Sequence, residues 1–293
     1  MHDGPLRQLI IQLRTRNAMP PVVALLTGYA LFGSASLDNS KLAATTVAII
    51  CIMFFFTLQN DVVDAEEDTA GGRAAPLNQG TLNITMLTTW YKRFLLASLV
   101  FSLATKSWTS ILLITLLAVL AWQYNKPPLE GSHRPAISII ELGLILSTLP
   151  LLIGWSVAGK TGPSTAAMLI AGLFLVRVAV SILKDYKDHS EDMLFGKKTF
   201  LIHHGPKVTN VFSLSASVVG YCLVAIALLA TSHSGLVNLS ATTALTIALY
   251  STGLRLRLGE AKANYKRNAH IFQRLFDCSV YFDMAVLACL LIS

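Results

Sequence analysis

The chain has 293 residues, of which 54% are hydrophobic and 13% are charged, and its formal net charge is +7. A soluble domain carries roughly 25% charged residues, and disordered, collagenous or disulfide-framework chains are polar, glycine-periodic or rich in cysteine. A mean hydropathy of +0.59 excludes these classes and indicates a polytopic membrane protein. The basic residues lie in loops between apolar runs rather than on one soluble face, so nucleic acid is not an expected partner.

Nine apolar runs approach the length of roughly 20 residues that a helix needs to cross a bilayer. In chain order they are Met19–Ser36, Leu42–Leu58, Phe94–Thr105, Trp108–Tyr124, Ala136–Ala158, Thr165–Leu183, Val208–Thr231, Leu236–Gly253 and Leu275–Ile292. The third run is short. Either Lys92 and Arg93 reach the headgroups, or the helix begins near Asn83 and these two residues face protein. We predict an all-α polytopic membrane protein with nine transmembrane helices in a single domain, residues 1–293.

The charges between the runs predict the orientation of the chain. Of the 23 Lys and Arg residues, 19 fall on the side of the N-terminus, three on the other side, and Arg177 lies inside the sixth run. Because cytoplasmic loops carry the excess of basic residues, the N-terminus is expected in the cytoplasm of an integral protein of the cell or inner membrane, and the C-terminus on the opposite side. The first run could instead be a signal peptide, but eight further runs favour a retained helix.

Nine of the 16 acidic residues are concentrated in two segments, one after the second run and one after the sixth. In each segment three aspartates are spaced i, i+3, i+7, which places them on one face of a helix. The two sets are Asp61, Asp64 and Asp68, and Asp185, Asp188 and Asp192. Clustered carboxylates repel one another unless a cation lies between them, and Mg²⁺ is bound by carboxylates together with substrate phosphates. We therefore predict a two-metal diphosphate site on the cytoplasmic side; solvated helix ends are the alternative.

Four motifs resemble those of the UbiA-type intramembrane prenyltransferases. The segment from Asn60 to Asp68 resembles the family signature N-D-x-x-D-x-x-x-D, and Asp185 to Asp192 resembles the second one, D-x-x-D-x-x-x-D. The second signature is followed by Gly196-Lys197-Lys198-Thr199, similar to a G-K-K-T of the family, and Tyr124-Asn125-Lys126-Pro127-Pro128 is similar to its Y-x-x-P-P segment. The ordered set extends over nearly the whole chain.

The resemblance implies nine helices bundled around a central cavity that opens laterally to lipid. It also implies Mg²⁺-dependent transfer of a polyprenyl group from an allylic diphosphate to a small acceptor, often an aromatic or quinone-precursor compound. The chain departs from the family near Pro76-Leu77, where Arg73 lies three residues before the proline instead of directly before it. It departs again after the Y-x-x-P-P segment, where Glu130, His133 and Arg134 follow in place of the basic cluster of the family. Either Lys126 or Arg134 would reach the diphosphate.

These arguments together assign candidate roles to individual residues. We predict Asp64, Asp68, Asp185 and Asp188 as catalytic residues. The predicted metal ligands are Asn60, Asp61, Asp64, Asp68, Asp185, Asp188 and Asp192. The predicted substrate-binding residues are Arg16, Arg73, Tyr124, Lys126, Arg134, Lys184 and Lys198.

Charged residues inside the runs are expected to pair or to face a cavity. Arg177 lies eight residues before Asp185, roughly 12 Å along a helix, and Glu141 and Asp283 lie at comparable depth. We expect an ion pair of Arg177 with one of these two acids, or a role in the substrate pocket. The basic segment Arg255–Arg274 is typical of an interfacial helix, or of a lid over the site. The four cysteines lie in apolar runs and are interpreted as buried hydrophobic residues.

Other functions fit the same features. A terpene cyclase would use the same diphosphate site without an acceptor, and product analysis in the absence of an acceptor separates the two. A transporter or lipid-binding protein could use the acidic clusters only to bind cations. Transporters often have broken helices at mid-membrane, whereas these carboxylates follow the apolar runs. The expected partners are a prenyl diphosphate, a small acceptor and the lipid bilayer, and the sequence predicts no oligomeric state.

Overall fold

The fold is known from a computed structural model, which describes residues 5–32, 39–70, 82–158, 165–231, 235–258 and 265–292. Every regular element in these ranges is helical, which confirms the all-α prediction. The helices are α1 (Pro5–Gln12), α2 (Met19–Phe32), α3 (Asn39–Val63), α4 (Ala65–Ala70), α5 (Ile84–Ala104), α6 (Trp108–Tyr124), α7 (Pro135–Gly143), α8 (Leu149–Ala158), α9 (Ala166–Ser181), α10 (Asp185–Leu194), α11 (Phe200–Thr231), α12 (Gly235–Leu258) and α13 (Tyr265–Ile292). A π-helical turn, Leu144–Thr148, joins α7 to α8.

Among the described residues, four helical stretches are long and apolar enough to cross a membrane. They are Asn39–Val63, Pro135–Ala158, Ala166–Ser190 and Phe200–Ala230. Helix α6 is apolar but has only 17 residues. The protein is therefore an integral membrane protein, while the number of nine transmembrane helices stays a prediction.

The short third run belongs to a helix that begins where one of the two interpretations placed it. Asn83 caps α5, because its side chain accepts a hydrogen bond from the backbone N–H of Met86 at 2.7 Å. Lys92 and Arg93 are nevertheless exposed, and the Arg93 guanidinium lies 5.1 Å from the ring centre of Trp90. Neither basic residue faces the protein interior.

Helices α2 and α8 pack so closely that two glycines are required between them. A Cβ atom at Gly28 would lie 2.0 Å from the carbonyl oxygen of Leu151, and one at Gly154 would lie 2.0 Å from that of Leu25. Close approach through small residues is a common way for helices to associate in a membrane, where water supplies no hydrophobic drive. This contact fixes α2 against α8.

Replacing Gly154 by Ala is expected to destabilise the protein by about 1–3 kcal/mol, because the new methyl group meets backbone that a rotamer change cannot move. The measurement is the thermal unfolding midpoint in detergent. Gly253→Ala in α12 is the matched control, since a Cβ there meets nothing within 4 Å and alanine favours a helix by up to about 1 kcal/mol. Equal midpoints for the two variants would contradict the close packing.

Two apolar clusters form the two halves of the bundle. One cluster unites α2, α3, α6 and α8 around residues such as Leu25, Ile49 and Leu117. The other unites α9, α11, α12 and α13 around residues such as Leu173 and Phe282, and it reaches the first half through Ala24 and Leu151. Helix α3 of the first half leads into the first acidic segment, and α9 of the other half leads into the second. Residues of both segments line one cavity.

Several details differ from the sequence-based expectations. Helix α3 ends at Val63 and the chain bends at Asp64 before α4, so the first aspartate set does not continue on one straight helix. Cys222 is exposed, whereas the other three cysteines are buried as predicted. The segment Arg255–Arg274 is not a separate interfacial helix in its described part, because 255–258 end α12 and 265–274 begin α13.

Candidate active site

A cavity of about 470 Å³ lies where α3, α9 and α10 meet. Polar residues of both acidic segments and of the chain that follows them line one part of it: Asn60, Asp64, Lys184, Asp185, Lys187, Asp188, Asp192, Lys197 and Thr199. Apolar side chains line another part: Met53, Phe56, Leu142, Leu146, Val180, Phe272 and Phe276. The cavity therefore combines a charged region with an apolar wall.

The first signature presents only some of its side chains to this cavity. Asn60 and Asp64 line it, and the Asn60 amide donates a hydrogen bond of 2.6 Å to the Asp64 carboxylate. Asp61 is 2% exposed, is bonded to Gln12 and Arg14, and does not appear among the described lining residues. Asp68 lies in α4, but its side chain lies outside the part of the chain that the structure describes.

The second signature presents all three aspartates. Asp185 and Asp188 occupy the first turn of α10, where the helix dipole favours negative charge. The backbone N–H groups of Phe200 and Leu201, at the start of α11, also lie near the Asp185 carboxylate. Burial, and then the charges of Asp185 and Asp188, raise the pKa of the Asp192 carboxyl to about 7. The three carboxylates repel one another, and a cation bound beside them would reduce this repulsion.

A turn after α10 returns the chain to the carboxylates. Gly196 has a φ of 68°, in the left-handed region that glycine adopts without strain. The N–H of Lys197 bonds the carbonyl of Asp192 and the N–H of Gly196 bonds that of Met193, which is a Schellman motif. The turn buries Lys197, whose Nζ lies 2.9 Å from the Asp64 carboxylate. Lys197 thus joins the first signature to the end of the second.

Lys184 and Tyr124 form a second contact across the cavity. The Lys184 ammonium donates to the Tyr124 hydroxyl and lies 5.0 Å from the centre of its ring. The same hydroxyl is 3.1 Å from Ser138, and the ring packs edge-on against Phe56 at 5.3 Å. Tyr124 is therefore held in one orientation by neighbours on α3, on α7 and in the turn between α9 and α10.

The other predicted basic residues divide into those near the cavity and those away from it. Arg16 lines the cavity, and its guanidinium bonds Asp277 of α13. Arg134 and Lys198 are exposed, and neither they nor Lys126 belong to the described cavity lining. Arg73 lies outside the described residues.

Three basic residues that the sequence analysis did not single out line the cavity: Arg14, Lys187 and Lys197. Lys187 follows two residues after Asp185, so its place inside the second signature was an available signal. The positions of the Arg14 and Lys197 side chains depend on left-handed backbone conformations at Arg14 and Gly196, respectively. The residue pattern did not reveal these conformations.

Arg177 combines the two roles that the sequence analysis kept open. Its guanidinium bonds the Asp283 carboxylate and donates a 3.0 Å hydrogen bond to Ser279. The residue is 1% exposed and also contributes to the cavity wall. Glu141, the other candidate partner, instead accepts a 3.2 Å hydrogen bond from Gln123. The buried ion pair therefore connects α9 to α13.

Arg177→Met is expected to cost about 3–5 kcal/mol of stability, because it leaves the Asp283 carboxylate buried without its cation. The double variant Arg177→Met/Asp283→Leu removes both charges and should recover most of this loss. Thermal unfolding midpoints of the single and double variants measure the difference. A double variant no more stable than the single one would contradict a stabilising ion pair.

The cavity residues fit a divalent cation that is shared with a substrate. Within the described part of the chain, no three carboxylate, imidazole or thiol groups form a cluster able to hold an ion by themselves. Mg²⁺ is usually held by one or two carboxylates plus waters and substrate phosphates, so it needs no such cluster. Asp64 and the α10 aspartates provide that kind of ligand on facing sides of one cavity.

Comparisons with known proteins agree with this architecture. Residues 21–275 match the model of the UbiA prenyltransferase family, so the chain belongs to that family. A structure of digeranylgeranylglyceryl phosphate synthase is similar over 99% of each chain, with 16% identity and a TM-score of 0.70. No significant match was found among curated proteins.

Two further solved structures are similar to the chain. A UbiA homologue from Archaeoglobus fulgidus bound to DMAPP and Mg²⁺ has 15% identity and a TM-score of 0.71, and the alignment covers 96% of this chain and 99% of that one. An apo UbiA homologue from Aeropyrum pernix K1 has 13% identity and a TM-score of 0.73, with 94% and 97% covered. At these identities the likeness establishes the fold.

Proposed function

We propose that this protein transfers a polyprenyl group from an allylic prenyl diphosphate to a small acceptor within the membrane, with Mg²⁺ as its cofactor. The observation that carries the proposal is a single cavity with carboxylates of both signatures and three lysines in one region and an apolar wall beside it. The related Archaeoglobus fulgidus protein, which binds GPP or DMAPP together with Mg²⁺, supports the choice of ligands.

Asn60 and Asp64, with Asp68, would hold one Mg²⁺, and Asp185, Asp188 and Asp192 would hold a second. When bound, Mg²⁺ supplies Lewis-acid neutralisation of the diphosphate as that group leaves. The high pKa of Asp192 fits this role, because a crowded, buried carboxyl group releases its proton most readily when a cation takes its place.

The protein's own cations would complete the diphosphate site. As the bond between C1 and oxygen breaks, its electron pair leaves with the diphosphate and positive charge develops on the allyl group. Lys184, Lys187 and Lys197 line the cavity beside the aspartates, where their ammonium groups would contact phosphate oxygens. The acceptor then forms a bond to C1 and loses a proton.

The apolar wall would serve the prenyl tail and the cation. Met53, Phe56, Leu142 and Leu146 offer a surface that dissolves an isoprenoid chain and excludes water, which would otherwise capture the allylic cation. The face of the Tyr124 ring, whose hydroxyl is held by Lys184, would stabilise that cation.

We also propose that the site opens toward the cytoplasm, with the N-terminus on that side and the C-terminus on the other. The excess of basic residues on the loops of the N-terminal side supports this orientation. In a cysteine-free background, a cysteine introduced at the exposed Ser190 should be protected from an impermeant thiol reagent added outside intact cells. Labelling from outside would overturn the orientation.

The decisive experiment incubates purified protein and Mg²⁺ with prenyl diphosphates of several lengths and a panel of acceptors, and identifies products by mass. The panel contains a quinone-precursor phenol, a naphthoate, a glycerol phosphate and a tetrapyrrole; we expect the aromatic, quinone-precursor compounds to be prenylated. A cyclic hydrocarbon formed without any acceptor would favour a terpene cyclase instead. Cation binding without any release of diphosphate would overturn both enzymatic assignments.

A further inference from the structure

A short polar segment crosses one side of the cavity between α1 and α2. Arg14, Arg16 and Asn17 of this segment, Gln12–Asn17, all line the cavity. Arg14 has φ 45° and ψ 58°, and a 3₁₀ turn follows it. A left-handed conformation costs a residue other than glycine roughly 1 kcal/mol or more, so contacts of the surrounding structure must hold Arg14 in place.

Asp61 makes those contacts at one end of the segment. The Gln12 amide donates a hydrogen bond of 2.5 Å to one carboxylate oxygen of Asp61, and the Arg14 guanidinium lies 3.0 Å from the other. Asp61 and Gln12 are 2% and 4% exposed. Both oxygens of this carboxylate thus face the N-terminal segment, whereas Asn60 and Asp64 on either side of Asp61 line the cavity.

Helix α13 holds the other end of the segment. The Arg16 guanidinium pairs with Asp277 and lies 5.5 Å from the ring centre of Phe276. With its amide oxygen oriented toward Arg16, Gln273 accepts a further hydrogen bond of 2.9 Å. The segment is therefore attached to α3 in one half of the bundle and to α13 in the other.

Apolar packing brings the segment to this place but does not orient its arginines. Leu9 and Leu13 are buried in a cluster with Leu58, Leu82 and Leu87, which fixes α1 beside α3. Such contacts are not directional, whereas the hydrogen bonds and the ion pair with Asp61 determine where Arg14 points.

We propose that Asp61 is a positioning residue, not a metal ligand. It holds Gln12–Asn17 in the turn that places Arg14 and Arg16 in the lining of the cavity. The expected effect of Asp61 on catalysis rests on the proposed function, but the attachment of Gln12–Asn17 to Asp61 does not. It replaces the sequence-based assignment of Asp61 to Mg²⁺.

The test compares Asp61→Asn with Asp64→Asn in the full-length protein, by hydrogen exchange and by the Mg²⁺ dependence of prenyl transfer. For Asp61→Asn we expect amides 13–17 to exchange about ten-fold faster, KM for the prenyl diphosphate to rise about ten-fold, and the Mg²⁺ concentration for half-maximal activity to stay within about two-fold. For Asp64→Asn we expect the Mg²⁺ requirement to rise and the exchange of 13–17 to be unchanged.

Two outcomes would overturn the proposal. One is unchanged exchange at 13–17 in Asp61→Asn; the other is a Mg²⁺ requirement that rises as far as in Asp64→Asn. A double-mutant cycle adds a check, because Asp61→Asn should have little further effect on KM in an Arg14→Met background. If the wild-type protein transfers no prenyl group, the proposed function fails, while exchange and Mg²⁺ binding measured by calorimetry still decide between attachment and metal binding.

Discussion

Replacing Asp64 by Asn is expected to lower Mg²⁺-dependent prenyl transfer by about 10³-fold. Asn keeps the shape of the side chain but removes the charge, and Asp64 is the described carboxylate of the first signature that lines the cavity. Its two oxygens accept from Asn60 and Lys197, so the variant weakens the link between the two signatures as well as the metal site. A loss of this size corresponds to about 4 kcal/mol of transition-state stabilisation.

Glu66→Gln is the matched control for Asp64→Asn. Glu66 is also acidic, lies two residues further along, and is exposed, so its loss should change the rate less than about two-fold. Initial rates at saturating prenyl diphosphate over a range of Mg²⁺ concentrations, with unfolding midpoints of both variants, separate a lost ligand from a lost fold. Retention of Mg²⁺-dependent turnover within a few-fold in a folded Asp64→Asn protein would contradict the assignment.

The fold was largely predictable from the lengths and hydropathy of the apolar runs. A backbone in lipid must satisfy its hydrogen bonds internally, so an apolar run long enough to cross the bilayer is expected to form a helix. The fourth run, Trp108–Tyr124, coincides with α6. Helix ends outside the lipid were not predictable from this signal. Helix α13 begins at Tyr265, ten residues before the apolar run, and the α11 segment begins at Phe200 despite the interruption at Gly205. Packing against protein, which hydropathy does not record, sustains these extensions.

The site was predictable at the level of segments and less so at the level of side chains. Helical spacing identified both aspartate sets in the sequence, and the structure shows that both signatures contribute residues to one cavity. The same spacing treated Asp61 and Asp64 as equivalent, although the bend at Asp64 and the contacts of Gln12 and Arg14 separate their surroundings. Which of two neighbouring residues faces the cavity depends on local backbone angles and on partners distant in sequence.

Lys197→Met is expected to lower kcat by about 10²-fold. The substitution keeps the length of the side chain and removes the ammonium group, which lies 2.9 Å from Asp64 and would contact the leaving diphosphate. Lys198→Met is the control one residue away, because Lys198 is exposed whereas Lys197 is buried by the turn at Gly196. The control should retain turnover within about two-fold.

The same pair of variants separates catalysis from structure. Without Mg²⁺, Lys197→Met removes the ammonium group that pairs with Asp64 and leaves Lys184 as the other lysine whose charge acts on Asp192, so the unfolding midpoint of the variant should fall below that of the wild type. Saturating Mg²⁺ should restore most of that difference, since ligand binding stabilises the folded state, while kcat stays low because the phosphate contact is still absent. Equal kcat values for the two lysine variants would show that departure of the diphosphate does not depend on Lys197. The buried ammonium group would then serve only to neutralise the carboxylates when no metal is bound.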